Sequence, residues 1–310
     1  MIVECVPNIS EGRNIKIVDE IVASVRAVGG VRILHVDSGF DANRTVVSFA
    51  GDSEAVLEGA FRLIRSAAAL IDMRSHEGAH PRIGATDVCP FVPLEGASIE
   101  VCIDLACRLG RRVANELHIP VYLYEAAAER AERRSLSNIR RGGYEMLASK
   151  LRDPDWLPDF GAALNERSGA TVIGARNFLI AYNVNLDTPD PVVAAEIAAR
   201  IRETGRKRAT PEGMCSSSGG LLKCCKALGW YMKSYGCAQV SINLTNFHVT
   251  GLCDAFAACA REAETLGCRV CGSEIIGLVP QEFDTDCQFG QCRFTVDRTA
   301  ITQFNLVLWP

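Results

Sequence analysis

Residues 2–36 read I-V-E-C-V-P-N-I-S-E-G-R-N-I-K-I-V-D-E-I-V-A-S-V-R-A-V-G-G-V-R-I-L-H-V, and the order of signals within them decides the fold class. Residues 2–7 are a short apolar run that stops at Pro7-Asn8, which reads as a strand with an abrupt end. Residues 13–28 then place Ile17, Ile21, Val25 and Val28 at helical spacing, and Gly29-Gly30 closes that helix. Residues 31–36 are a second strand. Strand, helix and strand in so short a span predict an α/β arrangement.

The alternation continues outward. Residues 45–50 are a third strand, reached through the polar loop 37–44. Residues 53–72 form a long helix with Ser53 as its cap and Val56, Ala60, Leu63, Ile64, Ala67 and Ile71 along one face. Residues 74–93, rich in His, Gly and Pro, read as irregular backbone. Residues 99–117 are helical and 121–124 strand-like. From 125 to 167 the chain turns charged and punctuated, as a surface connector does. A second block follows: strand 178–186, helix 192–203, strand 239–244, helix 253–266 and strand 275–279. Within it, the Lys-, Gly- and Ser-rich stretch 205–234 reads as a loop followed by a short helix. Two α/β halves result, residues 1–177 and 178–310, related in pattern and not residue by residue.

Bulk properties narrow the function classes. With 48% apolar and 23% charged residues in 310, the chain can bury a core and stay in solution. No window reaches the roughly 18 unbroken apolar residues of a membrane span, and the first ten residues lack the basic start of a secretory signal. A cytoplasmic protein with no membrane partner is expected. The net charge of -4, with 33 basic residues scattered, gives no stripe for nucleic acid. Of 14 cysteines, nine crowd residues 224–292. Without a secretory context they read as reduced, small apolar packers. The chain offers Cys268-x2-Cys271 but no second such pair for zinc, so no metal is expected.

Three polar clusters carry chemistry. The first is R-S-H-E-G-A-H-P-R-I-G-A-T-D-V-C-P-F-V-P, residues 74–93, which brings His76, Glu77, His80, Arg82 and Asp87 together. His80 precedes Pro81, which keeps it out of helical geometry. A histidine there is either a general acid-base or a loop residue hydrogen-bonding a carbonyl. His76 and His80 are four apart, but Gly78 and Pro81 argue against the helix that a metal pair would need. The second cluster runs from Asp37 through Asn43 and Arg44 at a strand end, and reads as a ligand crevice or a turn-rich hairpin loop. The third, residues 168–176, is rich in small residues that let backbone approach a flat ligand. It lacks the Walker lysine and the G-x-G-x-x-G order.

Several of these runs resemble the formiminotransferase family. They are V-E-C-V-P-N-I-S-E-G-R (3–13), D-S-G-F-D-A-N-R-T-V (37–46), I-D-M-R-S-H-E-G-A-H-P-R-I-G-A-T-D-V-C-P-F-V-P (71–93), V-Y-L-Y (121–124), P-D-F-G (158–161), G-A-T-V-I-G-A-R-N-F-L-I-A-Y-N-V-N-L (169–186) and A-Q-V-S-I-N-L (238–244). The resemblance, which extends to the N-terminal part of bifunctional formiminotransferase-cyclodeaminases, implies an α/β (α+β) fold of two ferredoxin-like subdomains with a ligand tunnel between them. It implies glutamate formimidoyltransferase chemistry: the formimino group of N-formimino-L-glutamate passes to N5 of tetrahydrofolate, the co-substrate, in histidine degradation. The family's catalytic histidine corresponds to His80. Its folate-binding stretch corresponds to Gly161, Ala162, Ala163, Leu164, Asn165, Glu166, Arg167, Ser168, Gly169 and Ala170.

Both substrates carry carboxylates, so Arg44, Arg82 and Arg176 are expected clamps. Asp37 and Asn43 are expected beside them, with Asp37 orienting the imidazole or steadying the carbon centre. Gly169 and Ala170 are expected to leave room for the flat pterin, so that a bulky residue at Gly169 raises the folate KM and spares the fold. Two other functions remain open: a transferase using N-formylglutamate, and a folate-binding protein without turnover. Retention of the His80 motif speaks against the second. The sequence departs from the family in extra Ser, Gly and Cys over 205–228 and in its last stretch, 284–310. No cyclodeaminase segment is read in the sequence, so cyclisation is expected to fall to a separate protein. Oligomeric state is left open, a homodimer included.

Overall fold

A computed structural model describes residues 1–209, 215–217, 219–280 and 306–308. The chain divides into two compact units, Met1–Asn177 and Phe178–Pro310.

The first unit opens with β1 (Ile2–Cys5) and β2 (Asn8–Ile9), followed by α1 (Ile15–Arg26), β3 (Val31–Gly39), β4 (Arg44–Asp52), α2 (Ser53–Leu70) and β5 (Thr86–Pro93). These strands pair antiparallel in the order β3–β4–β1/β2–β5, the split β-α-β order of a ferredoxin-like sheet. After α3 (Ile99–Leu117) and β6 (Val121–Glu125), two short helices, α4 (Leu136–Ile139) and α5 (Leu147–Lys150), lead to β7 (Thr171–Ala175). β7 inserts between β5 and β6, parallel to both.

Strand alternation explains the layering. Val3, Cys5, Val47, Phe49, Cys89, Phe91, Ile173 and Ala175 point to one face and are buried against α1, α2 and α3. On α1 the buried positions are Val18, Ile21, Val22 and Val25, one helical stripe, and Asn14 caps its start. The opposite face carries Val88, Tyr122, Tyr124 and Val172, packed with Ile139, Leu147 and Leu151 of the segment after β6. That segment, expected as a surface connector, therefore supplies a lid over part of the sheet.

The second unit contains β8 (Ile180–Leu186), α6 (Pro191–Ile201), β9 (Lys207–Ala209), β10 (Cys215–Ser217), β11 (Cys225–Met232), β12 (Cys237–Leu244), α7 (Leu252–Thr265), β13 (Val270–Ile276), β14 (Leu278–Pro280) and β15 (Leu306–Leu308). Its four-stranded sheet runs β11–β12–β8–β13, antiparallel throughout, which repeats the strand order of the first unit. Ile180, Tyr182, Val184, Val240 and Ile242 are buried with Ile197 and Ile201 of α6 and Leu252 and Cys259 of α7.

Several expectations are corrected. Residues 86–93 are strand, so Asp87 sits within β5, at the register shift of its pairing with β2. The short helix expected within 205–234 is absent among the described residues, where β11 stands instead. Its Gly229 lets the α6 backbone approach, since a Cβ there would meet Ala195 N at 2.1 Å. The α2 cap position is Asp52, with Ser53 already helical. Residues 171–175, within the small-residue cluster 168–176, form β7. The cysteines Cys5, Cys89, Cys102, Cys225, Cys259 and Cys268 are free and buried. The expectation of wholly reduced cysteines fails at Cys253, which is disulfide-bonded. The departures expected in 210–214 and over most of 284–310 lie outside the described residues.

Candidate active site

The candidate site is built from side chains of the first unit. Asp87, at the start of β5, is its centre. Its side chain is fully buried, and Arg44 Nη1 donates to its Oδ2 at 2.7 Å. Arg140, from the lid segment, donates to the same oxygen. Ile83 N donates to Oδ1 at 2.9 Å, and Arg44 Nε donates to Asn8 Oδ1 at 3.0 Å. Burial pushes the Asp87 carboxyl up, but Arg140, Arg44 and His80 outweigh it and hold the pKa at about 2. Burial in turn lowers Arg44 to about 10, against the pull of Asp87. Two guanidinium groups thus share one carboxylate, and the cluster keeps a net positive charge.

His80 lies on the loop before β5, within the field of that cluster. Its Nδ1 is 2.7 Å from the Pro81 carbonyl, so Nδ1–H donates and Nε2 carries the acceptor lone pair. The two alternatives left open by the sequence are therefore compatible: hydrogen-bonding a carbonyl is what aims the ring. Burial, then the Arg44 and Arg140 charges, hold the His80 pKa well below the usual imidazole value, with Asp87 pulling the other way. The ring is neutral at pH 7.

His76 is placed differently. Its Nε2 is 2.9 Å from the Asn43 carbonyl, and Arg82 Nε donates to its Nδ1 at 3.2 Å, so both ring nitrogens are used within the fold. Arg82 also grips Glu145 with two nitrogens, at 2.7 and 3.0 Å. Asn43, at φ 46°, accepts from Gly12 N at 3.0 Å and donates to Glu77 O at 2.8 Å. Arg82, His76 and Asn43 thereby fasten the histidine loop to the β3–β4 hairpin and to the lid. Asp37 lies opposite Val46 on β3, beside His35, whose pKa is lowered by burial against the pull of Asp37.

The stretch 161–170 is irregular backbone leading into β7. Gly169 N donates to Asn165 O at 2.7 Å, and Ser168 N donates to Asn165 Oδ1 at 2.9 Å, closing a turn. Tyr144 Oη donates to Glu166 O at 2.5 Å, and Arg167 Nη2 to Ala69 O at 2.7 Å. Ala162, Ala163 and Leu164 are exposed, and Gly161 adopts φ 71°. The small residues allow a close backbone approach within the fold. A Cβ at Gly169 would meet Ile83 O at 2.2 Å, and one at Gly84 would meet Ala170 O at 2.0 Å. The missing side chains let this stretch and the histidine loop join back to back, where Ala170 N donates to Ile83 O at 3.0 Å. Enlarging Gly169 would therefore break the loop junction, contrary to the expectation that the fold is spared. Arg176 follows β7, its backbone N donating to Phe91 O at 3.1 Å and its Nη1 to Asn177 O at 3.1 Å.

Arg140 and the centrality of Asp87 escape sequence reasoning. The only cue is the run Arg140-Arg141-Gly142-Gly143, which reads as punctuation. Among the described residues no group of three or more His, Cys, Asp or Glu could hold a metal ion, and no helix is long and apolar enough to cross a membrane.

Comparison with known proteins completes the description. Residues 2–176 match the family "Formiminotransferase domain, N-terminal subdomain", and residues 181–289 match "Formiminotransferase domain". The chain is 41% identical to a glutamate formimidoyltransferase of Streptococcus pyogenes, over 90% of this chain and 89% of that protein. It is 42% identical to one of Thermoplasma acidophilum, over 91% and 89%. It is also 46% identical to the formimidoyltransferase-cyclodeaminase of Mus musculus over 90% of this chain, and there it spans 50% of the relative's length.

Proposed function

The chain belongs to the formiminotransferase family, and on that premise we propose that it is a glutamate formimidoyltransferase, moving the formimino group of N-formimino-L-glutamate to N5 of tetrahydrofolate. The observation that carries the reading is His80: Nδ1 faces the Pro81 carbonyl at 2.7 Å, so Nε2 carries the lone pair that acts as the base, and the ring sits beside a cationic cluster. N5 attacks the formimino carbon and its proton passes to His80 Nε2. The tetrahedral adduct then collapses, the bond from that carbon to the glutamate nitrogen breaks, and the imidazolium returns the proton to the leaving amine. The products are 5-formiminotetrahydrofolate and L-glutamate. One imidazole serves both transfers, a contribution of about 100-fold or more.

The electrostatics give the base a switch. In the free protein Arg44 and Arg140 make the imidazolium costly. A donor carboxylate docking on either guanidinium offsets that charge and raises the His80 pKa, so binding prepares the base. Asp87 keeps the two cations in place and close to His80. Arg176 is a further clamp, and stretch 161–170 is the folate contact. Arg82 and Asn43 hold the loop, and Asp37 stands at the hairpin beside it. The proposal includes a cytoplasmic setting, which the many free thiols favour. It also includes a cyclodeaminase activity acting on the product.

The test is to incubate the purified protein with tetrahydrofolate and either N-formimino- or N-formyl-L-glutamate, and to identify the folate product spectroscopically. Formation of the 5-formimino product with the first donor is expected. Turnover with the formyl donor alone would move the assignment to a formyltransferase, and binding without turnover would leave a folate-binding protein.

A further inference from the structure

Glu4 is a buried acid that the reaction just described does not use. It sits on β1 opposite Ala50 of β4 and Val92 of β5. Its neighbours Val3 and Cys5 point into the helix-covered core, so its side chain projects from the other face, the face shared by Arg44, Val88 and Val172. It is 2% exposed, and its Oε2 has no hydrogen-bond partner. Burial raises its carboxyl to about 7, with Arg176 pulling the other way. A buried carboxylate oxygen without a donor costs about 1–3 kcal/mol or more, so its retention calls for an explanation.

Arg176 supplies the second observation. Its backbone bonds Phe91 on β5, the strand that separates it from β1, so Glu4 and Arg176 flank Val92 on the same face. Two strand spacings put their backbones about 10 Å apart. An N–H and an α-carboxylate on one carbon, each with a hydrogen bond outward, span roughly 8–9 Å. The two side chains rise from one face on either side of Val92, and an acid beside a guanidinium matches in charge the two poles of an N-acylated amino acid.

We propose that Glu4 and Arg176 form the subsite for the glutamyl tail of folate, Glu4 accepting its amide N–H and Arg176 taking its α-carboxylate. This rests on the transfer reading above. Position within the strand chooses between the two glutamyl-bearing substrates. Glu4 pairs with Ala50 and Asn8 with Val46, four residues or about 13 Å apart along β4, and Asn8 holds Arg44 of the His80 cluster. The folate tail's amide nitrogen lies roughly 10 Å from N5 at ordinary bond lengths. The donor's nitrogen, bonded to the reacting carbon itself, is too close to His80 chemistry to reach Glu4.

Three probes test this on the whole chain: folic acid, pteroic acid (the same ring system without glutamate) and N-acetyl-L-glutamate, each titrated calorimetrically into wild type, Glu4→Gln and Arg176→Gln. A hydrogen bond to a charged group gives about a tenfold effect or more. Wild type should bind folic acid at least tenfold more tightly than pteroic acid, and both variants should close most of that gap while leaving pteroic acid affinity within about twofold. Weakening confined to N-acetyl-L-glutamate would give the subsite to the donor and overturn the assignment to folate. Unchanged preference for folic acid in both variants would overturn the subsite itself. Arg176→Gln, at a half-exposed position, keeps the test alive should Glu4→Gln not fold. The readout separates the two readings. A protein that fails to transfer formimino groups yet shows the Glu4-dependent preference keeps the subsite and loses the activity; one that transfers them without that preference does the reverse.

Discussion

The two units share one strand order and differ in what they insert into it. In the first, the connection from the second helix of the ferredoxin-like core to its last strand runs over residues 71–85 and carries His76, His80 and Arg82. Its counterpart in the second unit, between α7 and β13, is residues 266–269. The long connection there comes earlier, residues 202–224 between α6 and β11, against residues 27–30 between α1 and β3. The faces turned away from the long helices differ as well. The first unit gathers Arg44, Asp87 and Arg140 around a histidine. The second holds the Glu274 carboxylate, hydrogen-bonded by Asn183, Gln239 and Tyr235. One shared strand order thus gives one face charges in mutual tension and the other a carboxylate held by three uncharged donors. Chemistry is grafted on by the loop, and the sheet supplies only the platform.

That contrast can be broken most sharply at Asp87. Asp87→Asn leaves Arg44 and Arg140 buried without their counter-charge, and should destabilise the first unit by about 3–5 kcal/mol, measured by urea denaturation. The same residue sets an acid limit. Its folded pKa, about 2, is depressed below the ordinary 3.8, so its contribution is complete above the ordinary value and is lost as pH falls toward 2. It amounts to about 2 kcal/mol, and the Asn variant should lack this limb of the pH–stability curve. A cost under 1 kcal/mol would mean that the cluster is not under the tension described.

Next come the two histidines. His80→Ala should cut kcat by about 100-fold or more with the thermal midpoint unchanged. His76→Ala strands the Asn43 carbonyl and Arg82 Nε, so it should cost about 1–3 kcal/mol of stability and much less of kcat. Steady-state kinetics and thermal melts on both variants decide the matter, and equal kinetic losses would end the assignment of His80 as the proton carrier.

How much of this was legible follows from where the signals lie along the chain. Helix α3 could be read to the residue, because its buried positions Cys102, Leu105, Ala106, Leu109 and Val113 repeat at helical spacing. The histidine loop was legible through its His-Pro-Arg run. Strand β5 was not, because Pro90 and Pro93 argue against a strand, yet Pro90 has no N–H to give and its carbonyl still accepts from Val6 N. Arg140 was hidden for another reason: its partner Asp87 is 53 residues away, and nothing local marks an arginine that folds back onto a distant strand. Glu4 is one residue of the run 3–13, and its burial depends on strands that come together only in three dimensions.

The smallest expected effect belongs to the second unit and tests whether its polar face is as self-contained as it looks. Glu274 Oε1 accepts from Asn183 Nδ2 at 3.1 Å and from Gln239 Nε2 at 2.9 Å, and Oε2 accepts from Tyr235 Oη at 2.9 Å. Glu274→Gln keeps the oxygen that serves the two amides. The new amide nitrogen then faces the Tyr235 hydroxyl, which can turn from donor to acceptor. The bond count is conserved, and no buried cation loses a partner, unlike at Asp87. The cost should stay within about 1 kcal/mol, and kcat/KM for both substrates should remain within about twofold, since 1.4 kcal/mol would be needed for tenfold. A tenfold fall in kcat/KM with stability intact would show that the Glu274 charge itself is used by a substrate. The difference between a working face and a merely satisfied one would then have to be given up.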